Sequence, residues 1–434
     1  MQILRRKNHS KADLNRLRST GGSAGSGYQA VRLPALRAFR HRSFTVLWSS
    51  MLFYRLGFWI GLITFQWMVA RITDNSPMML GLLAFFNLIP MLVVTPIGGV
   101  VADRVGRRQI LVVSQFLMSA AAGLLTLLVV LGRAESVSVL FAFAFVFGLV
   151  MSFNAPANQA AVANSVPQTE LRSAISLNSI GLNLARIGGP ALAGPVIVAW
   201  GAGASFGMWA LVSVTAAVGI STITLAPYEP EADSLGVVRR IAQGFEHVRA
   251  RPPALLALTL VAVVTVFGQS YSAVVAVIAF DTLGLGDRAF TLLVTATGIG
   301  AMAGALVAGA GRLPSSLPRL AMWAVGFAVV LAGLGISRSL WTALVFISLV
   351  GGLNFFLMTS LNVQLQHLTA ESKRGRIMSL FMLAWGGLYP IGGLAVGFVA
   401  ERISVPTTLI VFAVVLTVLS LLIGWAARSS ARSA

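Results

Sequence analysis

Residues 98–108, GGVVADRVGRR, form a short charged turn between two long apolar stretches of the sequence. The stretches on either side, residues 77–101 and 110–132, are each long enough to cross about 30 Å of hydrocarbon as a helix. Glycines let neighbouring helix ends approach closely, and Asp103 can cap or pair with the end of a facing helix. The segment therefore predicts a hairpin of two transmembrane helices with its charged turn in water.

Apolar stretches of this length recur along the whole chain. Of its 434 residues, 57% are hydrophobic and 10% are charged, and the mean hydropathy is +0.84. These are too few polar side chains to cover a soluble protein of this size, so most of the surface must face lipid. Spans are predicted at residues 44–70, 77–101, 110–132, 138–162, 173–199, 202–226, 253–281, 288–311, 318–337, 340–366, 376–400 and 405–427. We therefore predict an all-α membrane protein with twelve transmembrane helices in two pseudo-symmetric six-helix bundles.

The longest polar connection divides the chain into two halves of six spans each. The predicted divisions are a basic disordered cytoplasmic tail at 1–43, an N-terminal bundle at 44–226, a linker with an amphipathic helix at 227–252, a C-terminal bundle at 253–427 and a cytoplasmic tail at 428–434. Of the 32 basic residues, those that fall in the predicted outer loops are Arg71, Arg133, Arg288, Arg338 and Arg402. This asymmetry predicts a multi-pass protein of the bacterial inner (plasma) membrane with both termini in the cytoplasm.

Several classes of function conflict with the composition. The chain has no cysteine, so it has no thiolate metal site, and its four histidines are scattered. Lys7, Lys11 and Lys373 belong to no phosphate-binding glycine-lysine loop, which excludes an ATP-driven pump for this chain alone. Much of the basic charge lies in the N-terminal tail, which favours membrane lipids over nucleic acid as a partner. We expect no enzyme activity, no metal and no bound cofactor.

The charged turn resembles the signature loop of the major facilitator superfamily. The residues that carry this resemblance are Gly99, Asp103, Arg104, Gly106, Arg107 and Arg108. The resemblance implies the major facilitator fold and alternating access to a site between the halves. The arginines could meet carboxylates or helix ends of the other half, and so form a gating loop that holds the cytoplasmic side shut.

The fifth span carries a second motif, similar to the glycine-proline antiporter motif of drug-exporting members of the superfamily. Its residues are Gly181, Arg186, Gly189, Pro190 and Gly194. Proline and glycine permit bending and close helix packing, and small-residue packing without any bearing on the direction of transport is the alternative.

Other stretches resemble the bacterial group of enterobactin-exporter-like permeases, also called transmembrane secretion effectors. These stretches include residues 44–48, 154–159 and 374–379. The resemblance implies export of siderophore-like or drug-like molecules by proton antiport, with the proton gradient as the energy source. Phe58 departs from the group, since many relatives carry an aspartate at this place.

Polar and aromatic residues in spans one, four, five, seven, ten and eleven are candidates for a substrate cavity near the membrane midplane. Two of them, Arg55 and Arg186, are cations inside apolar spans, and such residues usually mark a substrate or ion path. They favour an anionic or phenolic substrate, although backbone carbonyls and amides could also neutralise them. The candidates are Tyr54, Arg55, Trp59, Gln66, Asn154, Asn158, Arg186, Phe267, Gln269, Tyr271, Asn354, Phe355, Met358, Asn362, Trp385 and Tyr389.

None of the 13 acidic residues falls in the middle of a predicted span. Proton coupling would then involve Asp74, Asp103 or Asp281, which lie near predicted helix ends. We expect a transporter of small molecules that works as a monomer. An importer of a small organic anion and a non-transporting sensor or scaffold are the alternatives.

Overall fold

The computed structural model describes residues 34–225, 245–246, 248–249, 251–310, 314, 316–369 and 374–432, without the side chains of residues 34–35, 96–104, 156, 310, 374–376 and 430–432. Throughout these residues the secondary structure is helical, with no β-strand. The predicted tail up to residue 33, most of the predicted linker, and the side chains of Asp103 and Arg104 lie outside the described part.

Eleven of the described helices are long and apolar enough to cross a membrane, and one of them, Gln168–Ser221, has 54 residues. Its backbone leaves the helical region at Gly201, where φ is 79° and ψ is 177°. Glycine adopts this left-handed φ without the steric cost that a Cβ would bring. The break coincides with the predicted boundary between the fifth and sixth spans, so the described chain contains the twelve spans that the sequence predicts.

The first half contains six membrane helices, which begin after a short 3₁₀ helix at Pro34–Arg40. They are α1 (Arg42–Ile72), α2 (Pro77–Val105), α3 (Arg107–Val130), α4 (Val137–Ala163) and the helix Leu171–Ser221, which Gly201 divides into α5 and α6. Helix α2 begins at a proline, and the Ser76 hydroxyl caps it by accepting a hydrogen bond from the Met79 amide at 3.3 Å. Gly106, with φ 91°, makes the turn to α3.

The second half repeats this plan, but two of its six helices are interrupted. Helix α7 combines Pro252–Val263, Val264–Gly268, Gln269–Ala273, Val275–Val277 and Ile278–Thr282, and α11 combines Arg374–Met382, Leu383–Gly387 and Tyr389–Ile403. The continuous helices are α8 (Gly286–Ala310), α9 (Leu317–Ile336), α10 (Leu340–His367) and α12 (Val405–Arg432).

The helices pair in the same way in both halves. Helix α2 packs against α4 as α8 packs against α10, and α3 packs against α6 as α9 packs against α12. The halves meet along two seams, α2 with α11 and α5 with α8. The predicted fold class of two pseudo-symmetric six-helix bundles is confirmed. Large apolar side chains on the outside, among them Trp200, Trp341 and Trp425, give the bundle the surface that lipid requires.

Glycines bring the halves together near the connections α1–α2, α7–α8 and α11–α12, which we call the outer end. A Cβ on Gly81 of α2 would lie 2.6 Å from the carbonyl oxygen of Gly393 in α11, so the two backbones are in direct contact there. In the other seam, Gly194 of α5 packs directly against the side chain of Thr291 in α8. Small residues allow this close approach between membrane helices.

Candidate functional site

A half-buried arginine lies at the midpoint of α5, beside the seam between the halves. Arg186 is midway between Leu171 and Gly201, about 22 Å from each at a rise of about 1.5 Å per residue. The central carbon of its guanidinium lies 3.8 Å from the centroid of the Phe355 ring in α10 and 5.4 Å from that of the Trp59 ring in α1. Its Nη1 atom is shielded from solvent and has no hydrogen-bond partner among the described residues. Aromatic faces, rather than a carboxylate, therefore surround this cation.

Side chains of α7 and α11 continue this arrangement in the second half. The Trp385 indole N–H donates to Oε1 of Gln269 at 2.8 Å, and the Trp385 ring lies 6.1 Å from that of Phe355. The hydroxyls of Ser272 and Tyr389 are hydrogen bonded at 2.7 Å.

Two more residues extend the arrangement across the seam. Gln66 of α1 donates from Nε2 to the main-chain oxygen of Ser272 at 3.2 Å, which joins the two halves. Tyr271 is buried and belongs to the same 3₁₀ turn as Gln269 and Ser272. We call the whole set the central cluster: Trp59, Gln66, Arg186, Gln269, Tyr271, Phe355, Trp385 and Tyr389.

The two interrupted helices supply the second-half side of the central cluster. In α7, a π-helical turn at Val264–Gly268 is followed by a 3₁₀ turn at Gln269–Ala273, and in α11 a π-helical turn at Leu383–Gly387 contains Trp385. Such irregular turns free main-chain groups and re-aim side chains, and in membrane transporters they commonly line binding sites. The sequence gives no proline or glycine pattern that would have located the turn in α7.

Arg55, the other intramembrane cation, lies within the first half. Its Nη2 donates to Oδ1 of Asn178 at 2.7 Å, and its Nη1 donates to the Asn178 main-chain oxygen at 3.2 Å. Both acceptors belong to α5, the neighbour of α1. Amide and carbonyl oxygens therefore neutralise this arginine, as the alternative interpretation of the sequence allowed.

Several other candidates from the first half are also placed away from the central cluster. The Tyr54 hydroxyl donates to the sulfur of Met151 in α4. Asn154 is buried and donates to the Ser114 hydroxyl of α3 at 2.6 Å, and Asn158 is buried in the same helix. The Tyr54 and Asn154 side chains thus connect helices of one half.

The remaining candidates from the second half are placed in its interior or on one helix. The Phe267 ring packs 5.4 Å from that of Phe412 in α12, and Met358 is part of the apolar core. Asn362 accepts a hydrogen bond from Gln366 one turn along α10 at 2.6 Å. Asn354 is buried, and its Oδ1 atom has no hydrogen-bond partner within the described ranges.

In the predicted gating loop, the structure describes the side chains from Val105 onward. Arg107 donates to the main-chain oxygen of Ala160 in α4 at 3.4 Å, and Arg108 donates to those of Ile220 and Ser221 at the end of α6. Cations are stabilised at such helix C-termini. These bonds join helices of the first half, and the predicted contacts of the gating loop with the other half stay a prediction.

The glycines of the fifth-span motif are contact points for α1 and α8. A Cβ on Gly181 would lie 3.1 Å from the indole nitrogen of Trp48, and Gly189 packs directly against Trp59. Pro190 lies within the helix without interrupting it, because Gly201 is the residue at which the backbone departs from helical geometry. The motif thus places Arg186 beside Trp59 through close packing.

Polar contacts across the seam are also found at the outer end. Arg71 of α1 forms an ion pair with Oδ1 of Asp287 in α8 at 2.8 Å, and the Trp67 indole N–H donates to the same oxygen at 2.8 Å. The side-chain Nδ2 of Asn75 donates to Oδ1 of Asp281 at 2.6 Å. We call these residues, together with Ser76 and Glu401, the outer latch.

Glu401 of α11 completes the outer latch on the other seam. Its Oε2 atom accepts from the Ser76 hydroxyl at 2.9 Å and from the Met78 amide at 3.1 Å. All three carboxylates of the outer latch therefore belong to the second half, and all their donors belong to the first. The sequence singled out Asp281 but neither Asp287 nor Glu401, because the pairing of the outer loops is a tertiary feature.

Two of the predicted proton-coupling residues lie at the outer end. Asp74 is exposed, at a left-handed φ of 47° in the turn between α1 and α2. Asp281 lies beyond the membrane span Pro252–Ala273, and partial desolvation raises the pKa of its carboxyl above the ordinary value, while the Asn75 hydrogen bond acts to lower it. The third predicted residue, Asp103, lies outside the described side chains.

Solved structures of several transporters share this arrangement of helices. A bacterial homologue of the human lysosomal transporter Spinster, in an inward-facing and unoccupied conformation, aligns with a TM-score of 0.68 at 14% identity over 89% of this chain and 97% of its own. A point mutant of the nucleoside transporter NupG aligns with a TM-score of 0.68 at 13% identity over 88% of this chain and 99% of its own. At these identities the likeness shows the fold alone.

Sequence comparison finds relatives among bacterial transporters. The staphyloferrin A transporter of Staphylococcus aureus (strain NCTC 8325 / PS 47) is 25% identical over 373 residues, 83% of this chain and 90% of the relative. The multidrug efflux pump Tap of Mycobacterium tuberculosis (strain ATCC 25618 / H37Rv) is 26% identical over 223 residues, 48% of this chain and 51% of the pump. The profile of the transmembrane secretion effectors matches residues 34–432. The chain therefore belongs to the transmembrane secretion effector family of major facilitator transporters.

Proposed function

We propose that this transporter exports siderophore-like or drug-like small molecules, anionic or phenolic ones among them, from the bacterial cytoplasm by alternating access and proton antiport. The observation that carries the proposal is the central cluster, which places five aromatic side chains between the two halves beside a cation that has no carboxylate partner among the described residues. Aromatic faces and a few convergent polar groups are the usual lining of a small-molecule site. The relatives that transport staphyloferrin A and that expel drugs support this substrate range.

The contacts between the halves support alternating access. The outer latch and the glycine contacts Gly81–Gly393 and Gly194–Thr291 hold the outer end together. With both termini in the cytoplasm, as the basic residues indicate, the outer end faces the outside. The described conformation is then closed to the outside, and export requires the outer latch to open.

Proton antiport is proposed through the outer carboxylates. Among the described residues no acidic side chain belongs to the central cluster, whereas Asp281, Asp287 and Glu401 lie in the outer latch and Asp74 lies beside Asn75. A carboxylate that changes its partners when the halves separate can bind a proton in one conformation and release it in the other. The protein needs no bound cofactor in this scheme, and the monomer is the transporting unit within its lipid surroundings.

Flux into proteoliposomes under an imposed pH gradient tests the proposal. Catecholate siderophores, lipophilic drugs and small organic anions are compared, because the proposal expects gradient-dependent accumulation of at least one class. Equilibration of a substrate without a response to the gradient would exclude proton antiport. The absence of flux for all classes would favour a sensor or scaffold.

Import of a small organic anion is the second candidate. It is supported by the same unpartnered Arg186, since a cationic site can receive an anion from either side of the membrane. Flux in vesicles of known protein orientation separates the two, because an exporter moves the substrate from the cytoplasmic face to the outer face under a physiological gradient.

A further inference from the structure

Aromatic rings lie beside the guanidinium of Arg186, while an N–H group at its edge makes no hydrogen bond among the described residues. Phe355, at 3.8 Å, lies at stacking distance from the guanidinium, and Trp59 is the second ring beside it. A ring beside the face leaves the N–H groups in the guanidinium plane as the donors that a ligand would use once the halves separate. At that edge Nη1 is buried without a partner, and the described residues offer Arg186 neither a hydrogen bond nor an ion pair.

Among the residues that the structure describes, no carboxylate compensates the charge of Arg186. The carboxylates of the outer latch are each bonded to first-half donors: Asp281 to Asn75, Asp287 to Arg71 and Trp67, and Glu401 to Ser76 and the Met78 amide. A buried cation without a counter-ion is costly inside a membrane protein. An anionic group delivered by a ligand would remove that cost.

We propose that Arg186 binds a carboxylate of the transported molecule edge-on, with Trp59 and Phe355 against its apolar or aromatic body. The inference rests on the proposed transport function and narrows its substrate class to small organic carboxylates. A carboxyl group ionises near pH 4 and a phenol near pH 10, so at pH 7 only the carboxylate carries the charge that Arg186 lacks. The planar guanidinium also matches a carboxylate with two parallel hydrogen bonds.

The first test needs no substitution. The full-length protein in lipid nanodiscs is titrated by calorimetry with 1-naphthoate and with 1-naphthamide, which match in size and shape but differ in charge at pH 7. A charge-assisted pair of hydrogen bonds should make 1-naphthoate bind about ten-fold more tightly or better. Equal affinities, or no binding of 1-naphthoate at millimolar concentration, would overturn the proposal.

Substitutions then assign the preference to this residue. Arg186→Gln should reduce the ratio of the two affinities to about one, and Arg186→Lys, which keeps the charge but not the planar donor pair, should leave an intermediate ratio. Arg338→Gln is the control, because it removes the same charge from an exposed loop between α9 and α10. An unchanged ratio of the 1-naphthoate and 1-naphthamide affinities in both Arg186 variants would show that another group binds the carboxylate.

The binding and flux experiments fail independently. If 1-naphthoate binds through Arg186 but no compound crosses the membrane, the carboxylate site is confirmed and the proposed transport function is wrong. If neutral drugs are expelled while the acid and the amide bind equally well, the transport function stands and the carboxylate site is wrong.

Discussion

The surroundings of Arg55 and of Arg186 differ although both residues are cations near the middle of an apolar helix. Around Arg55, the side chain and main chain of Asn178 supply two oxygens within one half of the protein. Around Arg186, aromatic rings from both halves supply no oxygen, and Nη1 has no partner in the described part of the chain. The depth of a charge in the membrane is therefore a poor guide to its role, whereas the presence or absence of a partner separates a structural cation from one that can receive a ligand.

The largest expected effect is on the partner of Arg55. Asn178→Leu removes the Oδ1 acceptor and should lower the free energy of unfolding by about 3 kcal/mol, since a charged hydrogen bond is lost inside the protein. Denaturant titration in mild detergent measures this change. Asn183→Leu is the matched control, because Asn183 donates to the Ser179 carbonyl of its own helix and should be nearly neutral. Similar losses in both variants would contradict the structural role of Arg55.

Replacement of Arg186 is expected to stabilise the fold, in contrast to replacement of Asn178. Arg186→Met should raise the free energy of unfolding by about 2 kcal/mol, because an apolar side chain of similar length replaces a half-buried cation that has no counter-ion among the described residues. The same denaturant titration measures it, with Arg186→Lys as the control that retains the charge and should show no gain. A destabilised methionine variant would mean that the cation holds the fold together.

A smaller effect is expected at the ion pair of the outer latch, which is partly exposed to water. Asp287→Asn should open the outer end modestly, by a factor of about two to five, since such pairs contribute about 1 kcal/mol or less. The chain has no cysteine, so Gln66→Cys provides a single reporter between the halves that an impermeant maleimide labels from outside. Faster labelling is expected with Asp287→Asn and an unchanged rate with the neighbouring Arg288→Gln. Equal rates in all three proteins would show that the ion pair does not hold the seam.

The smallest effect concerns pH at the exposed Asp281. Partial desolvation raises its pKa when the outer end is closed, so the closed state binds a proton more tightly than an open state with an ordinary aspartate. The tighter proton binding by Asp281 stabilises the closed state in full below about pH 4, the ordinary aspartate pKa. This stabilisation is lost as the pH rises through the raised pKa that Asp281 has in the closed state.

The same cysteine reporter measures this dependence, normalised to the labelling of an Arg338→Cys variant. Labelling should slow slightly as the pH falls, and Asp281→Asn should remove that component, which separates Asp281 from the other carboxylates of the outer latch. An identical pH profile in the two proteins would assign the dependence elsewhere.

The sequence predicted the positions of the spans and the helices that supply the central cluster. Hydropathy places each span, and the motif around Gly189 and Pro190 correctly indicates close packing in α5. Trp59, Arg186, Trp385 and Tyr389 were all named as candidates, and the structure brings them together or close to shared partners between the halves. Their role in binding a substrate stays a prediction.

The orientation of individual side chains was less accessible from the sequence. A helix that is apolar on every side has no polar face that would reveal which residues point inward, so Arg55 and Arg186 looked alike. Tyr54, Asn154 and Phe267 likewise face neighbours within their own halves. The outer latch depends on which loops meet, and that is decided by the packing of the two halves rather than by any local pattern.

The single-residue break at Gly201 has a mechanical consequence. Helices α5 and α6 are joined without a loop. No flexible segment therefore separates α5, which carries Arg186, from α6, which packs against α3. Any tilt of α5 that separates Gly194 from Thr291 must be transmitted to α6 or absorbed by rotation about the φ and ψ bonds of one glycine. The orientation of α6 relative to α5 is thus set by the two backbone angles of Gly201, so this one residue decides how far a tilt of the helix that carries Arg186 also moves the sixth span.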